Sequence, residues 1–122
     1  MKVTFGAVLI GVTNILKSKL FYENVFRITF NEMRPPFASF TLNNIEFQIE
    51  ENTPDRGEGW DKKYIGTPKG FCFETDDLEE FLKRVIESGG THTEITEHPW
   101  GYREAHFTDL DGNDFIVEQK IR

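Results

Sequence analysis

The chain contains 122 residues, with 21 aspartates and glutamates against 14 lysines and arginines and a formal net charge of −7. Because the basic residues are scattered and outnumbered, we expect no nucleic-acid partner. The single cysteine, Cys72, cannot form an internal disulfide, and no Cys and His spacing resembles a zinc finger, so we expect a cytoplasmic protein. Residues 3–12 are apolar but carry no signal-peptide cleavage site. We predict a buried strand there and no membrane partner.

The first half of the chain predicts one helix among four strands. After the strand at residues 3–12, a helix is expected at residues 14–25, with an apolar side made of Ile15, Leu16, Leu20 and Phe21. Three more strands are expected at residues 27–31, 37–42 and 45–50. Pro35-Pro36 and Asn43-Asn44 mark the turns between these strands.

The second half repeats this order. A short apolar strand at residues 71–73 precedes capping oxygens at 75–77 and a helix that ends at Gly89-Gly90, with one apolar face made of Leu78, Phe81, Leu82, Val85 and Ile86. Strands are expected at residues 93–97, 102–108 and 114–119. The sequence thus predicts an α+β fold with two βαβββ modules, at about 1–50 and 70–122, joined by residues 51–69. Two such curved sheets can enclose a cleft.

The last two predicted strands alternate between apolar and polar residues on either side of an Asp-Gly turn. Ala105 and Phe107 form an apolar row, while Glu104 and His106 form a polar row. Phe115 and Val117 likewise alternate with residues 114, 116 and 118. This period of two places one face on a hydrophobic core and the other on water or a cavity. An ordinary solvated face would show the same pattern, so the hairpin alone does not identify a site.

Four segments carry a resemblance to a known family. They are Val12-Thr13-Asn14 with Ser18 and Phe21-Tyr22, then residues 73–78, 99–104 and 109–113. In this order and spacing the chain resembles the vicinal oxygen chelate superfamily, which includes glyoxalase I, bleomycin resistance proteins and extradiol dioxygenases. The resemblance implies paired βαβββ modules around a concave surface, commonly with two chains completing two sites. Segment 99–104, with the sequence Pro-Trp-Gly-Tyr-Arg-Glu, is most similar to the bleomycin-resistance branch.

The resemblance also implies where a metal enzyme of this family would hold its divalent ion. Those positions fall near Ala7, Gly70 and Ile116, none of which has a donor side chain. The fourth position corresponds to Glu46 or Gln48, and one donor cannot hold a catalytic ion. A rearranged site made of Glu46 or Gln48 with His106 and Glu118 remains an alternative. It would make the chain a metal-dependent lyase, isomerase or dioxygenase.

We therefore favour, over a glyoxalase-type lyase or dioxygenase, a homodimer without metal or other cofactor that binds an aromatic or cationic small molecule. A dimer with a vestigial cleft is a further alternative. The expected ligand-binding residues are Trp100, Tyr102, Glu104, His106, Glu46, Gln48, Trp60 and Glu118.

Several of these residues and their neighbours have alternative structural roles. Trp100 could anchor its own loop, and Trp60 could cap the cleft or lie in a subunit interface. Arg103 and Glu104 could form an ion pair with each other. We expect Cys72 to be a buried, unreactive sulfur, and His92 and His98 to be surface residues on loops.

Overall fold

The computed structural model describes residues 1–121 and contains two βαβββ modules with a short connection between them. The first module consists of β1 (Val8–Val12), α1 (Ile15–Phe26), β2 (Glu32–Arg34), β3 (Phe37–Leu42) and β4 (Ile45–Glu51). Its strands form the first sheet, in the order β1-β4-β3-β2. β1 is parallel to β4, and the other pairs are antiparallel. The connection holds a 3-10 turn (Pro54–Arg56) and α2 (Trp60–Tyr64).

The second module repeats this plan with one additional strand. It consists of β5 (Pro68–Glu74), α3 (Leu78–Glu87), β6 (Thr91–His92), β7 (Thr96–His98), β8 (Tyr102–Thr108) and β9 (Asp114–Lys120). The second sheet has the order β5-β9-β8-β6, and β7 also pairs with β8. β5 is parallel to β9. The predicted α+β duplication is thereby confirmed.

Local sequence explains where the two long helices begin. The side chain of Asn14 accepts a hydrogen bond from the Lys17 backbone N–H at 3.0 Å and caps α1. Asp77 does the same for α3, with Oδ1 3.1 Å from the Glu80 nitrogen. Both caps satisfy backbone donors that a helix leaves unpaired at its first turn.

The two modules share one hydrophobic core, and aromatic rings fill the space between their sheets. Tyr22 and Phe26 of α1 lie between the sheets: the Tyr22 ring is 5.7 Å from Phe40 of the first sheet, and the Phe26 ring is 4.7 Å from Phe73 of the second. Phe47 also lies 5.6 Å from Phe73. Because successive side chains point to opposite faces of a strand, the alternate residues of each sheet point away from this core. We call these surfaces the outer faces.

A buried polar cluster fastens the turn between β8 and β9 to the first module. Asp109 accepts hydrogen bonds from the Tyr22 hydroxyl at 2.6 Å and from the Asn113 side chain at 2.8 Å. Asn113 also donates to the Gly11 carbonyl oxygen at 2.9 Å and accepts from the Gly66 backbone N–H at 2.9 Å. Asp109 and Asn113 are both buried, and the turn is completed by Gly112 at a φ of 81°. These bonds satisfy polar groups that would otherwise be costly to bury.

Several predicted elements differ from the structure. β1 begins at Val8 rather than at residue 3, and Val8 is the first residue paired with β4, opposite Phe47. Residues 27–31 do not form the predicted strand, and β2 follows them at Glu32–Arg34 instead. In place of one predicted strand at 93–97, the structure has two short strands, β6 and β7. Within residues 1–121, no helix is long and apolar enough to cross a membrane.

The predicted helix faces are also partly wrong. Leu16 and Leu20 are 62% and 58% exposed, because α1 turns Ile15, Ser18, Tyr22 and Val25 towards the core at helical spacing. In α3, Leu78, Leu82 and Val85 are buried as predicted, whereas Ile86 is exposed.

Candidate functional site

The outer face of the second sheet carries five of the eight predicted ligand-binding residues. They are Trp100, at the turn before β8, and Tyr102, Glu104, His106 and Glu118, on β8 and β9. Glu104 lies directly opposite Glu118 across the two strands, and Glu118 in turn lies beside Glu74 on β5. The predicted strand stops at Phe73, so the sequence analysis missed Glu74, although alternation from Phe73 would place it on this face. Three carboxylates therefore form a row across the sheet.

These three carboxylates surround the thiol of Cys72, which shares their face. Desolvation by its surroundings raises the pKa of the Cys72 thiol to about 12, with further contributions from the negative charges of Glu118, Glu74 and Glu104. Within residues 1–121, none of the three glutamates forms an ion pair with a lysine or arginine. Cys72 is exposed, which corrects the expectation of a buried sulfur. The raised pKa agrees with the expected low reactivity.

An exposed aromatic group adjoins the carboxylates. The Trp100 ring stacks on the His98 ring, with centroids 4.3 Å apart and an interplanar angle of 6°. His98 Nε2 is hydrogen-bonded to Glu104 Oε1, so the stack is fixed to the carboxylate row. Trp100 remains 66% exposed and leaves much of its ring open to a ligand. His98 is therefore partly buried in a strand, contrary to the expected loop position. His92 is exposed as expected but lies in β6.

Two neighbours have partners that the sequence analysis did not identify. His106 Nδ1 lies 3.2 Å from Asp114 Oδ1 at the edge of the outer face. Arg103 pairs with Glu79 of α3 and not with Glu104. Arg103 and Glu104 are consecutive residues of one strand, and their side chains therefore point to opposite faces. The suggested ion pair between them is wrong.

The other three predicted residues lie around the first sheet. Gln48 donates to Glu46 at 2.6 Å on the outer face of β4. Trp60 follows in α2, where its ring packs 4.8 Å from the Arg56 guanidinium and 5.3 Å from the Tyr64 ring. Arg56 in turn pairs with Glu50 of β4. The predicted residues thus divide between two outer faces, and both faces point away from the shared core.

The side chains present do not fit the divalent ion expected of the family's metal enzymes. Ala7 precedes β1, Gly70 lies on β5 and Ile116 lies on β9 opposite Cys72, and none supplies a ligand atom. Across residues 1–121, no group of three or more His, Cys, Asp or Glu side chains is arranged to hold a metal. A catalytic site needs about three protein ligands. Within one chain, Glu46 lies on the first sheet and His106 and Glu118 lie on the second, so only a second copy could bring this alternative set together.

Comparisons with known proteins are consistent with this architecture. A family model described as the Glyoxalase/Bleomycin resistance protein/Dioxygenase superfamily matches residues 4–117. A search of curated proteins gave no match.

Solved structures from three bacteria share the fold. A glyoxalase/bleomycin resistance protein from Albidiferax ferrireducens T118 is 22% identical and has a TM-score of 0.71, with 95% of this chain and 98% of that chain covered. A glyoxalase/bleomycin resistance protein/dioxygenase family enzyme from Burkholderia phytofirmans PsJN has 17% identity and a TM-score of 0.76, over 93% and 96%. The fosfomycin resistance protein FosX from Listeria monocytogenes has 16% identity and a TM-score of 0.69, over 98% and 94%. By the family match, the chain belongs to the Glyoxalase/Bleomycin resistance protein/Dioxygenase superfamily.

Proposed function

We propose that the protein binds an aromatic or cationic small molecule on the outer face of the second sheet, without a metal and without transforming the ligand. The observation that carries this proposal is the row of Glu74, Glu104 and Glu118, which has no lysine or arginine partner in the described chain and adjoins the exposed Trp100. Family membership alone does not assign this function, because one fold serves many chemistries.

Electrostatics favours a cation at this position. Like charges directly opposite one another on neighbouring strands are destabilising, and Glu104 and Glu118 form such a pair. A bound cation would relieve their repulsion. A ring stacked on Trp100 would add a cation–π or stacking contact worth about 0.5–2 kcal/mol. The carboxylates would select the charge of the ligand, and Trp100 and Tyr102 its flat shape.

A second copy of the chain would complete the site. β1 and β5 are the outer strands of their sheets, so each leaves an edge that another chain can approach. Glu46, Gln48 and Trp60 lie on the first sheet or beside it, where the same chain cannot add them to the carboxylate row. We therefore include a homodimer in the proposal. In it the first sheet of one copy faces the second sheet of the other.

Two probes with the same ring system but different charge test this function: N-methylacridinium, which is a permanent cation, and acridine, which is neutral at pH 8. We expect the cation to bind at least tenfold more tightly, quench tryptophan fluorescence and raise the melting temperature. Trp100→Ala should remove the quenching, and Glu104→Gln should weaken binding of the cation more than binding of acridine.

Glu97→Gln is the matched control, because Glu97 lies opposite Arg103 in β7 and its side chain points to the other face of the sheet. Equal affinities for the two probes, or equal effects of Glu104→Gln and Glu97→Gln, would contradict the proposal. Failure of both probes to bind would favour a vestigial cleft.

A further inference from the structure

The shared core is open at one end, where a groove of about 890 Å³ runs between the two modules. Its walls come from the end of α1, the β3–β4 turn, β5 and the first turns of α3. The apolar lining includes Phe5, Phe26, Ile45, Phe47, Phe71 and Phe81. None of the eight residues expected to bind ligand lines this groove.

The aromatic side chains at this end form a wall without a complete cover. Phe26 packs 5.5 Å from Phe81, and Phe47 packs 6.0 Å from Phe71. Phe26, Phe71 and Phe81 are only partly buried, and Phe5 and Ile45 at the rim are 70% and 42% exposed. A ligand that covers this exposed apolar surface would gain about 25 cal/mol of binding free energy per Å² removed from water.

The mouth of the groove has an excess of negative charge. Glu80 pairs with Arg84 at 3.1 Å, and Asp77 caps α3. Glu74 and Asp76 also line the mouth, and within residues 1–121 neither forms an ion pair. Arg27 is the remaining basic residue of the lining. With three carboxylates against one guanidinium after the Glu80–Arg84 pair is set aside, the mouth attracts cations.

We propose that this groove is a second binding site, which takes an amphipathic cation with its apolar body among the phenylalanine rings and its ammonium group at the mouth. The volume lies in the range of small-molecule pockets, and phenyl rings favour a nearby cation. A second copy of this chain is the other occupant to test, because β5 borders both this groove and the edge that the proposed homodimer uses. The site is separate from the carboxylate row in all but Glu74 and Cys72, which border both.

Three probes with the same ten-carbon chain test the proposal: decyltrimethylammonium, decanoate and decanol, titrated calorimetrically below their micelle concentrations. We expect the cation to bind at least tenfold more tightly than decanoate. Asp76→Asn should weaken binding of the cation about threefold and leave binding of decanol unchanged. Ile45→Trp should fill the rim and weaken all binding about tenfold.

Matched variants make the result specific to the groove. Ile86→Trp places the same ring on an exposed position of α3 outside the groove and should leave binding unchanged. If Ile45→Trp fails to fold, Ile45→Lys adds a positive charge at the same rim and should repel the cation. Decanoate binding as tightly as the cation would overturn the proposal. So would dissociation of a dimer by Ile45→Trp without loss of probe binding, since a second copy would then cover the rim.

Discussion

Removal of one hydroxyl group from the buried polar cluster should measurably loosen the junction between the modules. In Tyr22→Phe, Asp109 loses the 2.6 Å hydrogen bond from the hydroxyl but keeps the Asn113 side chain and the backbone N–H groups of Asp111 and Asn113. A buried hydrogen bond to a group of this kind contributes about 1.5–3 kcal/mol. We expect the free energy of unfolding, from urea titration at pH 7, to fall by about that amount with an unchanged m-value.

The same substitution should change the response to alkaline pH. Burial, together with the negative charge of Asp109, raises the pKa of Tyr22 well above its ordinary value. The folded chain therefore keeps the Tyr22 proton at a pH where the unfolded chain has lost it. Stability contributed by this group is present below the unfolded pKa, about 10, and is lost as the pH rises towards the folded pKa at about 1.4 kcal/mol per pH unit.

Tyr22→Phe should remove this contribution, so the difference in stability between wild type and variant should shrink between pH 10 and pH 11. Tyr64→Phe, in α2 and outside the cluster, is the control for tyrosine substitution. A constant difference across that range, or a loss below 0.5 kcal/mol at pH 7, would refute the assignment of this hydrogen bond.

Three further predictions concern other positions. Glu118→Gln should lower the pKa of Cys72 from about 12 and speed its alkylation by iodoacetamide severalfold at pH 9; an unchanged rate would argue against their proximity. Protein purified without chelator should contain far less than one transition-metal ion per chain by mass spectrometry, whereas a stoichiometric ion lost in His106→Ala would favour the metal-enzyme alternative. Asp77→Ala should lower the free energy of unfolding by about 1 kcal/mol in urea titration through loss of the α3 cap; an effect as small as that of Asp76→Ala would refute the cap's role.

Strand alternation and helix boundaries could be predicted from the sequence, because they depend on residues close together in the chain. The rows of Ala105 and Phe107 and of Phe115 and Val117 are buried as alternation requires. α3 lies where its cap and apolar spacing place it, from Leu78 to Glu87.

Features that depend on distant partners could not be read in this way. β1 pairs with β4 only from Val8 onward, although residues 3–7 look like a strand in isolation. Leu16 and Leu20 fit an apolar helix face, yet the aromatic rings of both sheets select a different face of α1. Alternation predicted which side chains point away from the core. It could not predict that the expected ligand residues divide between two outer faces, because that depends on how the modules pack.

The polar cluster at Asp109 has a consequence for the duplication itself. Each repeated half supplies polar groups that pair with the other half: the Tyr22 hydroxyl and the Gly11 carbonyl come from one, and Asp109 and Asn113 come from the other. If either half were expressed separately, it would expose both its part of the aromatic core and the polar groups that pair with the other half. We therefore expect the two halves to unfold as one cooperative unit, and a cut in the connection at residues 52–67 should yield fragments that fold only when mixed.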